Sequence, residues 1–110
     1  MRDLEKTHRL NMLYDLYNSL LTKKQQQYFN LYIIEDFSFR EVAEKMQVSH
    51  NAAYEAINKI IKLLNYYEIK LKLLYKEEQR VLLYKEYEKN ANFKIKVLIN
   101  NLKKIDEGGK

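Results

Sequence analysis

The 110-residue chain contains no cysteine, no proline and no tryptophan, and its only glycines are Gly108 and Gly109. Each absence removes a class of function. Without cysteine there are no disulfides, no thiolate zinc sites and no cysteine nucleophile. Two histidines, His8 and His50, are too few for a histidine metal cluster unless carboxylates complete it. With no glycine before residue 108, a phosphate-cradling loop has nowhere to form, which excludes most nucleotide-dependent enzymes. Long apolar runs are missing too, and none approaches the ~20 residues that span a bilayer. The opening MRDLEKTHRL carries both signs of charge and lacks the apolar core of a signal peptide. These absences predict a soluble, cytoplasmic, non-enzymatic protein with no metal and no cofactor.

What is present is enough to fold. The chain is 46% hydrophobic and 32% charged, and its length suits one domain. The net charge of +5 is unevenly placed. Residues 89–105 hold Lys89, Lys94, Lys96, Lys103 and Lys104 and no acid, whereas residues 1–88 are close to neutral. A polyanion site is therefore expected at the C-terminal segment, where Lys89, Lys96 and Lys103 recur every seven residues, although a solubilising face is an equal reading.

With glycine and proline lacking, turns must be made by Asn, Asp, Ser, Thr or Gln, and the composition favours helix over sheet. Leu10, Leu13, Tyr14, Tyr17, Leu20 and Leu21 recur at three- and four-residue spacing, predicting a first helix over roughly 4–20. Thr22 with Gln25 and Ser38 with Glu41 form two capping-box signatures, opening a second helix that ends near Asp36 and a short third helix. Ser49 is the next cap. From there to about Lys89 no breaker interrupts the chain, and Ile57, Ile60, Leu64, Tyr67, Leu71 and Leu74 keep a 3-4 spacing. Forty residues of helix would extend about 60 Å. The expectation is a fold-back near Asn65 or Lys76, or cover by a second copy. Asn90 or Asn92 then opens a last helix.

The most informative stretch is FREVAEKMQVSHNAAYEAI, residues 39–57. Ala43 is the small residue that two closely crossing helices need, Val42, Met46 and Val48 flank the turn, and Ala53, Ile57, Ile60 and Leu64 make an inward stripe. The pattern is that of a helix-turn-helix, whose second helix presents its outward face to the major groove. The candidate nucleic-acid-binding residues are Arg40, Ser49, His50, Asn51, Tyr54, Glu55, Asn58, Lys59 and Lys62. Residues 38–64 hold four bases against three acids, with no arginine on the reading helix to grip guanine, while Glu55 on that face repels phosphates. An ordinary packed pair of helices is the bland alternative. The tyrosines fall mainly on apolar stripes and suit core packing better than base stacking.

The run LTKKQQQYFNLYIIEDFSFREVAEKMQVSHNAAYEAINKIIKLL resembles the promoter-reading region four of bacterial sigma factors. More closely, the run from EKTHRLNMLYDLYNSLLT to NYYEIKLKLL resembles the YlxM-like family of small helix-turn-helix proteins, over about residues 4–75. Glu5, Lys6, Arg9, Leu13, Tyr14, Tyr17, Leu20, Leu21, Thr22, Lys24 and Gln25 carry the more specific part. The resemblance implies an all-α, sigma-region-four-like helix-turn-helix with appended helices and no enzymatic activity. It also implies a regulatory role in the signal recognition particle pathway, inferred from gene proximity. Two residues depart from sigma-type turns. Gln47 stands where glycine is common, at a cost of about 1 kcal/mol if the turn is left-handed. His50 stands where a basic residue is expected.

The expected organisation is one all-α domain over 1–110, with a helix-turn-helix core at 1–65 and a helical extension at 66–106. Its expected partners are DNA, signal-recognition-particle RNA or that particle's proteins. The alternative is a protein–protein interaction module without DNA binding, forming a homodimer through the long C-terminal helices.

Overall fold

Five of the six α-helices among the described residues start on a short polar side chain. Asp3 accepts from the amides of Glu5 and Lys6 to open α1, Leu4–Tyr17. Thr22 and Gln25 close a full capping box at α2, Lys23–Phe29, and Ser38 and Glu41 close another at α3, Phe39–Met46. Ser49 accepts from the Ala52 amide at 3.1 Å to open α4, His50–Leu71. Asn92 accepts from the Ile95 amide at 3.0 Å to open α6, Phe93–Glu107. Each side-chain oxygen satisfies an amide that has no partner within its own helix, a contribution of about 1 kcal/mol. In this computed structural model, which describes residues 3–107, the chain is all-α and no strand occurs among those residues.

The first helix tightens into a 3₁₀ turn over Asn18–Leu20, and α2 widens into a π turn over Asn30–Ile34. Three joints then use left-handed backbone at residues other than glycine: Asp36, Gln47 and Lys72, with φ of 58°, 58° and 57°. Such a conformation costs a residue with a Cβ about 1 kcal/mol, so contacts around each joint must offset it.

The helix breaks at Lys72, between the two positions the sequence suggests for a fold-back. Asn65 does not break the helix, because its side-chain amide donates to the Ile61 carbonyl and α4 runs on. Lys76 lies inside α5, Leu73–Glu88. At 22 residues α4 is about 33 Å long.

The chain divides into two compact units, one ending at Leu74 and the other beginning at Tyr75. In the first, Leu13 and Tyr17 of α1, Phe29 of α2 and Val42 of α3 are buried against Ala53, Ile57, Ile60 and Leu64 of α4. Tyr14 stacks on Phe29 with ring centroids 4.0 Å apart. Truncating Leu64 to alanine in this core costs about 2–5 kcal/mol. Beyond Leu64 the expected stripe holds at Tyr67, which packs against the core, and at Leu74, which is buried, but not at Leu71, which is exposed; Glu68 is buried as well. In the second unit α5 and α6 run antiparallel, tied by Arg80 to Asp106 at 2.9 Å and by Lys103 to Glu88 at 2.6 Å. Tyr84 and Ile99 are buried there.

Candidate nucleic-acid interface

The corner between α3 and α4 is built by the backbone. The Val48 amide donates to the Ala43 carbonyl at 3.0 Å and the Gln47 amide to the Glu44 carbonyl at 3.3 Å, around the left-handed Gln47. These two bonds form a Schellman motif, which satisfies the last carbonyls of α3 and turns the chain sharply into Ser49. Gln47 adopts the conformation for which glycine is the usual residue, so the strain expected from the sequence is present.

The capping box ahead of this corner is electrostatically firm. The Ser38 amide and then its hydroxyl, both bonded to Glu41, hold the Glu41 carboxyl below the usual carboxylate range, with a smaller contribution from nearby Lys45. The carboxylate also lies at the positive end of the α3 dipole.

The structure brings the α4 candidates together on one exposed face. His50, Asn51, Tyr54, Glu55, Lys59 and Lys62 are exposed and Asn58 is half-buried. Tyr54, Glu55, Asn58, Lys59 and Lys62 line an open concavity of about 560 Å³. Arg40 is exposed on α3, and Ser49 is occupied as the cap of α4. The outward side of α4 is not buried within the subunit.

Two of these residues are partly committed elsewhere. Tyr54 meets Phe39 edge-on at 5.1 Å between centroids, and His50 approaches the same ring at 6.3 Å. Phe39 in turn stacks on Tyr32 at 4.6 Å. This aromatic group fixes the first turn of α4 against α3, a role that spacing alone did not indicate.

In the second unit, Lys89, Lys94, Lys96 and Lys104 are exposed. Lys103 is not free, being paired with Glu88 and lying 5.9 Å above the Tyr84 ring. The seven-residue lysine row is thus interrupted at its last member. Among the described residues no group of three or more His, Asp or Glu is placed to hold a metal ion, and no helix is long and apolar enough to cross a membrane.

Sequence comparison agrees with this architecture. Residues 4–105 match the family model described as "Putative helix-turn-helix protein, YlxM / p13 like". The chain is 42% identical to the UPF0122 protein YlxM of Bacillus subtilis over 108 residues, covering 94% of this chain and 98% of that protein. It is 49% identical to a UPF0122 protein of Halalkalibacterium halodurans over 77 residues, 70% of this chain and 71% of that one. A UPF0122 protein of Bacillus thuringiensis is 39% identical over 109 residues, covering 94% and 99% of the two chains. With its capped corner, its exposed second helix and relatives that match nearly end to end, this chain belongs to the YlxM/p13-like family of helix-turn-helix proteins.

Proposed function

We propose that the protein is a regulatory nucleic-acid-binding protein of the cytoplasm, reading a duplex through the outward face of α4. The observation that carries this reading is the exposed concave strip from Tyr54 to Lys62, presented directly behind a left-handed helix-turn-helix corner. In it Lys59 and Lys62, with Arg40 on α3, hold phosphates. Asn51 and Asn58 offer paired donor and acceptor groups to adenine, and Glu55 accepts from the amine of cytosine. The exposed lysines of α6 add sequence-independent attraction. With four bases against three acids around the corner, one copy binds weakly, so the working species is a homodimer of single-domain chains paired through the C-terminal helices. A role in the signal recognition particle pathway rests on the family resemblance, with the particle's RNA or proteins as partners.

Fluorescence anisotropy with a labelled duplex and with particle RNA, at low and raised salt, tests the reading. The expected result is an affinity that falls with salt and with Lys59→Glu and Lys62→Glu. Affinity indifferent to both changes overturns it. A second reading, an interaction module that binds no DNA, is favoured by Glu55 at the middle of the strip and by the apolar residues exposed on α5 and α6.

A further inference from the structure

The second unit leaves most of its apolar surface uncovered. Tyr84 and Ile99 are its buried hydrophobic residues, while Leu83, Tyr87, Leu98 and Ile105 are 52%, 58%, 56% and 73% exposed. These residues are not scattered. At about 100° per residue, α5 turns Arg80 and Tyr84 toward α6, and α6 turns Ile99 and Asp106 back. The bonds from Arg80 and Tyr84 to Asp106 fix that facing. One flank of the contact then carries Leu83 and Tyr87 of α5 with Leu98, Leu102 and Ile105 of α6. The opposite flank carries Lys85, Lys96 and Lys104 together with Val81, Glu77 and Glu107. The hairpin is amphipathic as a pair of helices, with an apolar side and a mostly charged side.

We infer that the apolar side is covered by the same side of a second copy, two hairpins closing into a four-helix bundle. The inference rests on the homodimer reading and narrows it to one face. Three observations favour a second copy over a foreign helix. Two antiparallel helices bury only the line between them, and four are the usual number that encloses a core. On α6, Ile95, Leu98, Leu102 and Ile105 follow the 3-4-3 spacing of a coiled-coil seam, which is complementary to another copy of itself. A two-fold pairing sets identical apolar surfaces together and needs no matching charges. The exposed area of the five flank residues amounts to roughly 600 Å² on each copy, and about 1,200 Å² in a pair reaches the lower bound for specific interfaces.

Sedimentation equilibrium of the full chain between about 1 and 100 μM tests the inference, with circular dichroism reporting the fold. The expected result is a dimer that Leu98→Glu weakens by about tenfold or more and that Lys96→Glu leaves intact. Because the chain has no native cysteine, Leu98→Cys and Lys104→Cys give a second measurement that needs no buried charge. Leu98→Cys is expected to oxidise to a linked dimer much faster than Lys104→Cys. A chain monomeric at every concentration overturns both this face and the homodimer reading. A dimer indifferent to Leu98→Glu, or equal cross-linking at the two cysteines, overturns the face alone; loss of that dimer on Ile69→Glu would place the interface on α4. Duplex binding by a monomer would leave the nucleic-acid reading standing while removing this one.

Discussion

Tyr17 and Glu68, 51 residues apart in sequence, share one hydrogen bond of 2.7 Å and between them start a helix. The Glu68 carboxylate accepts from the Tyr17 hydroxyl and from the Leu74 amide at 3.0 Å, while the Tyr17 oxygen accepts from the Leu73 amide at 3.0 Å. Leu73 and Leu74 are the first residues of α5, so their amides lack partners within that helix. The buried pair supplies them, and its carboxylate lies where the α5 dipole favours negative charge.

Removing the Tyr17 hydroxyl leaves the Leu73 amide and one carboxylate contact unsatisfied at a buried site. Tyr17→Phe is therefore expected to lower stability by about 1–3 kcal/mol in urea titrations at neutral pH. Glu68→Leu, which removes the acceptor of both the Tyr17 hydroxyl and the Leu74 amide, should also loosen the joint, seen as faster amide exchange at Leu73 and Leu74.

The same site predicts an alkaline limit. Burial, and then the bond to Glu68, push the Tyr17 phenol up from 10.0 to about 12, with the Leu73 amide pulling the other way. A folded-state pKa above the unfolded value means that the proton is held more tightly in the native chain. Its contribution is whole below pH 10 and is lost as the pH rises through about 12. Unfolding free energy compared between the parent and Tyr17→Phe should show a gap that is constant from neutral pH to about 9.5 and narrows above pH 10. A gap that does not narrow would refute the assignment.

Gln47 invites the opposite kind of change. Its φ of 58° is sterically free for glycine and strained for glutamine, so Gln47→Gly is expected to stabilise the chain by up to about 1 kcal/mol. Thermal unfolding checks this. Duplex affinity should be unaltered, because Gln47 is not part of the strip on α4.

Lys59 and Lys62 are separable from the rest of that strip by salt. Replacing either by alanine should reduce the slope of log affinity against log salt by about one, with a similar loss on every duplex sequence. Asn51→Ala and Glu55→Gln should instead leave the slope alone and change the ranking of sequences. Anisotropy titrations over a small panel of duplexes distinguish the two patterns.

Much of this was legible in the sequence because it is local. Thr22 with Gln25, Ser38 with Glu41, and Ser49 mark helix starts within four residues, and the stripe Ala53, Ile57, Ile60 and Leu64 needs only helical periodicity. The joint at Lys72 was not legible: no asparagine, glycine or proline marks it, and the groups that hold it come from α1 and from a glutamate on an apolar stripe. Tyr17, read only as a core residue, has its ring buried and its hydroxyl employed. The exposed face of α4 followed from the inward stripe, whereas the pinning of Tyr54 and His50 by Phe39 depends on how closely α3 and α4 approach. The chain's recurrent lysines gave no sign that Lys103 would be neutralised by Glu88.

Because the elbow at Lys72 is capped from the N-terminal helix, its existence depends on residues synthesised long before it. On the ribosome, Tyr17 waits until Glu68 emerges, and only a docked α1 supplies the second of the two acceptors that start the next rod. A chain trimmed of its first twenty residues would keep the caps of α2, α3, α4 and α6. At the break that divides residues 50–88 it would keep the Glu68 acceptor and lose the Tyr17 one, leaving that stretch freer to elongate as a single spiral.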